Sequence, residues 1–178
     1  MAYYSCVALP QPPAPEWLFN YENVTFNGAE TVILTDIDYD VATFGNKAWK
    51  FQFKWTVKDS RNGSSVALMA AGRNRYYGGD IYGYQTCFRN TSNNYIYFTN
   101  GNVNPGNDIS IEYDGNGTIN TYVNDVLNKT ITNFDPDYLT GTPDSESKIF
   151  LGAWRNNQGN YSNIWNGTFE YIRMKFLD

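Results

Sequence analysis

The segment KAWKFQFKWTVK, residues 47–58, alternates apolar and polar side chains without a break. Successive side chains of a β-strand project to opposite faces. Trp49, Phe51, Phe53, Trp55 and Val57 therefore share one face, and Lys50, Gln52, Lys54, Thr56 and Lys58 the other. One face belongs to a core and the other meets water, as in an antiparallel sheet packed on one side. Further strands are expected at TVILT (31–35), SVALMAA (65–71), YGYQTCF (82–88) and NYIYFT (94–99). DISIEYD (108–114), TINTYVND (118–125), SKIFLGA (147–153) and GTFEYIRMKF (167–176) complete the set. In the last of these Ile172, Met174 and Phe176 share a face opposite Arg173 and Lys175. Turns are expected at Asn62-Gly63, Asn100-Gly101, Asp114-Gly115-Asn116-Gly117 and Asn166-Gly167, whose residues tolerate positive φ. No helix is expected beyond a turn near 135–140, and no internal repeat is present.

The chain's 178 residues suit one domain with a substantial core. Residues 1–20 form a separate zone, because LPQPPAP (9–15) favours an extended polyproline arm. Residues 21–178 are then the domain. The arm is either a surface-tacked terminus or a docking segment for a partner or a second copy. The N-terminus has no positive region followed by an apolar run, so a signal peptide is not expected.

Composition narrows the chemistry. The formal net charge is -5, and no Lys/Arg cluster is available to neutralise phosphates, so nucleic acid is not an expected partner. No apolar run approaches the roughly 20 residues that cross a bilayer as a helix, so membrane insertion is not expected. The chain has no histidine, which removes Ser-His-Asp and Cys-His nucleophiles and histidine-ligated zinc. Cys6 and Cys87 are the two cysteines, either paired or free thiols. Seven N-x-[S/T] sequons, from Asn23 to Asn166, follow from the abundance of asparagine.

Four stretches taken in order carry a resemblance. They are VTFNGAETVIL (24–34), WKFQFKWTV (49–57), NDISIEYDGNGTINTYVND (107–125), and IFLGAW (149–154) followed by WNGTFEYIRMKF (165–176). Over residues 22–177 the chain resembles the concanavalin A-like lectin/glucanase superfamily in its laminin-G-like form. The resemblance implies an all-β, two-sheet antiparallel jelly-roll sandwich, here with an extended Pro-rich N-terminal arm. It also implies that the final strand returns to pair beside the first. Lectins, glycosidases, adhesion domains and virion proteins all use this fold, so the site must decide the function.

Glucanases of that superfamily carry carboxylates spaced like Glu-x-Asp-x-x-Glu, and retaining chemistry needs two carboxyl groups about 5–5.5 Å apart. Glu30 and Asp36 are too far apart in sequence, Glu112 and Asp114 lack a third partner, and Glu170 stands alone. The expectation is a protein that is not an enzyme. Asp36, Asp38 and Asp40 alternate in TDIDYD, similar to the start of an EF-hand loop. Val41 and Lys47 stand where such a loop needs Gly and Glu, so no cofactor is expected and calcium is the metal left open.

Sugars present apolar faces and hydroxyl edges, which suit aromatic rings beside Asn, Asp, Gln or Arg. RNRYYGGDIYGY (73–84) offers Tyr76, Tyr77 and Asp80 in a loop ahead of a strand that takes Tyr82 and Tyr84. WRNNQGNYSNIW (154–165) offers Trp154, Arg155, Asn157 and Tyr161. The expected function is a non-enzymatic interaction module on a bacteriophage virion surface, a capsid decoration or fibre protein with glycan attachment. Its partners would be other virion proteins or itself, through the arm. The alternative is a bacterial carbohydrate-binding or lectin module, and the third reading is a glycoside hydrolase.

Overall fold

The computed structural model describes residues 17–27, 33–38, 41–58, 66–71, 76–80, 85–89, 95–100, 104–134, 148–155, 161–162 and 166–177. Among them the chain forms two six-stranded antiparallel sheets and a small two-stranded one. Sheet A is built from β1 (Phe19–Asn27), β3 (Trp49–Lys58), β8 (Asp108–Tyr113), β9 (Ile119–Val123), β10 (Val126–Ile131) and β14 (Asn166–Phe176). Its spatial order is β1-β14-β3-β8-β9-β10. The final strand pairs the first, Phe19 opposite Met174, as the resemblance implied. Sheet B contains β2 (Ile33–Asp38), β4 (Val66–Ala71), β5 (Tyr76–Asp80), β6 (Gln85–Arg89), β7 (Tyr95–Tyr97) and β11 (Lys148–Leu151). There the order is β2-β11-β4-β5-β6-β7. The fold is an antiparallel β-sandwich of the jelly-roll class.

Period-two alternation fills the core. Trp49, Phe51, Phe53 and Trp55 are buried, and so are Ile109, Ile111 and Tyr113 of β8 and Ile172 and Met174 of β14. A register shift lies between the pairs Val57–Thr168 and Trp55–Phe169. Aromatic rings dominate: Phe26 meets Phe169 edge-on at 5.7 Å, and Phe53 stacks on Trp55 at 5.5 Å. Such pairs add roughly 0.5–1.5 kcal/mol beyond the burial of their surface.

Several boundaries differ from the sequence reading. The sandwich starts before residue 21, because Phe19 is buried and Leu18 packs against the core. Apolar content alone marks this, but the neighbouring prolines drew the boundary too late. Helix α1 (Val41–Asn46) was not expected. It is held by tertiary bonds: Trp49 Nε1 donates to the Phe44 carbonyl at 3.1 Å, and Tyr113 Oη donates to Gly45 O at 2.8 Å. Asn166-Gly167 is not a turn but the start of β14, paired with Asn27 and Phe26. The hairpin at 108–123 forms as expected, its turn closed by the Asp114 carboxylate accepting from the N–H groups of Asn116 and Thr118. A second two-residue turn, Asn124-Asp125, has positive φ at both positions and leads into β10. The expected turns at Asn62-Gly63 and 135–140 lie outside the described residues.

The edge of sheet A at β10 is covered from sheet B. Lys129 Nζ donates to Tyr97 O at 2.6 Å, and Asn128 and Asn100 exchange three hydrogen bonds. Covering an edge strand in this way removes a template for uncontrolled strand pairing.

Candidate functional site

The second predicted segment becomes a hairpin. After β11, Gly152 adopts φ +85, and a Cβ there would overlap the Phe26 ring. That turn sends the chain into β12 (Trp154–Arg155), which pairs antiparallel with β13 (Tyr161–Ser162). Arg155 stands directly opposite Tyr161, and Trp154 opposite Ser162. Three of the four expected contact residues in this segment are thus brought together by backbone pairing. Asn157, the fourth, belongs to residues 156–160 between the two strands, outside the described residues.

Register locates this hairpin on sheet B. Leu151 pairs with Met69 of β4, and the chain runs on past Gly152 to make β12 contacts with β4. At that end of β4, Val66 pairs with Gly79, the neighbour of Asp80. Asp80 itself pairs with Gln85. Asp80 and the β12–β13 hairpin therefore occupy one end of sheet B.

The first predicted segment is corrected. Residues 75–80 were expected to be a loop, but Tyr76–Asp80 is strand β5, paired on one side with β4 and on the other with β6. Tyr76 pairs with Arg89 at the end of β5 opposite to Asp80, roughly 13 Å away at strand rise. Tyr77 sits in the next register position, opposite Met69 and Phe88. Tyr-Tyr-Gly-Gly has no apolar alternation, and the strand exists because two neighbours supply its ladder. The expected strand residues Tyr82 and Tyr84 lie outside the described residues.

Asp36 and Asp38 are in β2, and Asp40 lies outside the described residues. Lys148 pairs with Asp38, and its ammonium donates to the Asp36 carbonyl at 3.1 Å. No group of three His, Cys, Asp or Glu that could hold a metal gathers among the described residues.

The outward face of sheet A carries a network that sequence reading did not single out. Arg173 donates through Nε and Nη2 to Gln52 Oε1, at 3.1 and 2.9 Å. Gln52 Nε2 in turn donates to both carboxylate oxygens of Asp108, at 3.0 and 2.9 Å. Tyr171 also hydrogen-bonds Asp108, and its pKa is pushed well above the usual phenol range, first by burial and then by this carboxylate. The Arg173 guanidinium lies 4.4 Å from the Tyr171 ring centroid and 4.5 Å from that of Trp17. The signal was in the alternation Tyr171-x-Arg173-x-Lys175, whose outward face was legible but whose partners come from other strands.

No protein-family model and no curated protein sequence matches the chain. Among solved structures the chain is similar to a carbohydrate-binding module, the CBM40 of Ruminococcus gnavus IT-sialidase bound to alpha2,3 sialyllactose. The TM-score is 0.58 at 14% identity, over 92% of this chain and 95% of that one. It is similar also to NanB sialidase from Streptococcus pneumoniae (K499G mutant), with TM-score 0.58 at 15% identity. That match covers 91% of this chain but 27% of NanB, so the chain spans about a quarter of that protein. Domain 4 of AbnA, an extracellular arabinanase from Geobacillus stearothermophilus in complex with arabinotriose, aligns with TM-score 0.53 at 16% identity. That match covers 88% of this chain and 72% of the AbnA domain. At these identities the similarities establish the β-sandwich shared by such modules.

Proposed function

We propose that the protein is a non-catalytic carbohydrate-binding module whose glycan contact lies at the β12–β13 end of sheet B. The observation that carries this reading is the pairing that sets Arg155 across from Tyr161, next to Trp154, at the same end of the sheet as Asp80. An aromatic and a guanidinium residue at paired backbone positions supply the residue types for a stacking face and for planar donors to hydroxyl or carboxylate groups. The similarity to modules bound to sialyllactose and arabinotriose supports the class of ligand. None of the similarities reported above is to a virion protein, so the carbohydrate-binding alternative takes precedence over the virion-surface role.

The test is retention on a glycan array that includes sialyllactose and arabinotriose, followed by titration calorimetry on the retained glycan. Arg155→Ala combined with Tyr161→Ala should abolish retention. Retention of no glycan at high protein concentration would sink the proposal. Release of free sugar from the same glycans would instead revive the glycoside hydrolase reading.

A further inference from the structure

Lys175 stands opposite Lys50 across the β14–β3 ladder, both on the outward side of sheet A. Like charges at directly opposed positions repel, their Cβ atoms being about 5 Å apart. Lys50 is relieved by Glu112 at 3.1 Å, and Lys54 of the same strand is bridged by Glu170 at 2.7 Å. Lys175 makes no such ion pair among the described residues, and its ammonium lies 5.3 Å from the Trp17 ring centroid. Arg173, two positions earlier on the same face, makes none there either, because Gln52 stands between it and Asp108. A chain of net charge -5 therefore leaves two half-buried cations side by side without a carboxylate of their own. At strand rise their backbone positions are about 7 Å apart.

The Arg173 guanidinium is held in a fixed orientation. Gln52 Oε1 accepts from Nε and Nη2 and so occupies one edge of the planar group. Gln52 is itself only 7% exposed and is anchored on both carboxylate oxygens of Asp108. The Tyr171 and Trp17 ring centroids lie 4.4 and 4.5 Å from the guanidinium carbon. A guanidinium carries five N–H donors, so the edge between Nη1 and Nη2 keeps a parallel pair, the fork that a carboxylate accepts with two oxygens. Among the described residues no acceptor takes that edge.

We propose that Arg173, Lys175 and Trp17 form an accessory contact for the carboxylate of an acidic sugar, on sheet A rather than at the β12–β13 site. The carboxylate accepts from the free edge of Arg173, the Lys175 ammonium supplies the second positive charge, and Trp17 offers apolar surface to the sugar ring. That the anion is carried on a saccharide rests on the carbohydrate-binding reading above, whereas the anion preference rests on the two cations alone. Partly exposed charge pairs are individually weak, so this contact is read in solution rather than by retention on an array.

The test is an NMR titration that follows the Arg173 Nε–Hε signal. Glucuronate should shift that signal saturably, and glucose should not. The shift should persist in the Arg155→Ala/Tyr161→Ala variant. Lys175→Gln removes a charge that bonds no other part of the fold, and should weaken the response several-fold. No saturable shift with glucuronate would overturn the proposal. Acetate binding as tightly as glucuronate would overturn it in favour of a bare anion site. A response lost in Arg155→Ala/Tyr161→Ala but intact in Lys175→Gln would move the carboxylate to β12–β13 and overturn it as well. Glucuronate binding at Arg173 with no glycan retained on the array would support this contact and count against the β12–β13 site alone.

Discussion

Sheets A and B are each six strands wide, yet they divide the work of the molecule unequally. Sheet A includes the longest strands, ten residues in β3 and eleven in β14, and its outward side chains bond chiefly to one another. Sheet B is assembled from strands of three to six residues. At one of its ends the separate β12–β13 pair places Trp154, Arg155 and Tyr161 near the Asp80 end of β5. Long strands whose outward side chains are largely paired make a stiff support, while short strands offer less of one. The proposed glycan contact at β12–β13 therefore falls on sheet B and can be broken without touching the core of sheet A.

The sharpest way to break this contrast is through the core of sheet A. Phe53→Ala should cost about 3–5 kcal/mol in urea denaturation, because a fully buried ring leaves a cavity. Tyr76→Ala, at the end of β5 away from the hairpin, should cost less than about 1 kcal/mol. Equal losses would show that the two sheets contribute alike. Next comes the joint between scaffold and site. Gly152→Ala combines positive φ with overlap on Phe26, and should destabilise by about 2 kcal/mol in thermal melting while weakening glycan retention.

Arg155→Ala with Tyr161→Ala tests the site without the scaffold. Glycan affinity should fall at least about tenfold, roughly 1.4 kcal/mol, with the melting midpoint unmoved. A lowered midpoint with affinity intact would make the hairpin structural. The smallest effect concerns Tyr171. Its pKa is raised in the folded state, so the stability it contributes is complete below the unfolded phenol value of about 10 and is lost as pH rises beyond it. Tyr171→Phe should therefore lose stability less steeply than the wild type in denaturation series carried from neutral pH to above pH 10. Parallel curves would separate Tyr171 from the alkaline response, leaving Tyr113, whose pKa burial also raises.

Legibility followed the length and regularity of each element. In β3 four buried aromatics repeat at every second position, and Ile172, Met174 and their polar neighbours do the same in β14, so the period is legible. In Tyr76–Asp80 no such repetition exists, and two glycines weaken any intrinsic strand preference. That segment read as a loop because its hydrogen bonds are supplied by β4 and β6, which are distant from it in pattern though adjacent in space. Helix α1 was hidden for a related reason: six residues hold few helical bonds of their own, and the Trp49 and Tyr113 side chains secure it from outside. For the candidate site, Trp154, Arg155 and Tyr161 were visible as a mixture of residue types. Only the pairing of β12 with β13 put Arg155 opposite Tyr161.

The alternation in 47–58, the glycine- and asparagine-bounded turns and the absence of histidine determine by themselves an antiparallel sandwich without histidine chemistry. These are local properties, set by side-chain period, backbone torsion and the inventory of functional groups. Which strands became neighbours is decided by tertiary structure alone. That choice joined Arg173 to Gln52 and Asp108 across three strands and brought β12–β13 beside β4. Register is a long-range agreement between segments, and its energy comes from contacts that no single segment contains.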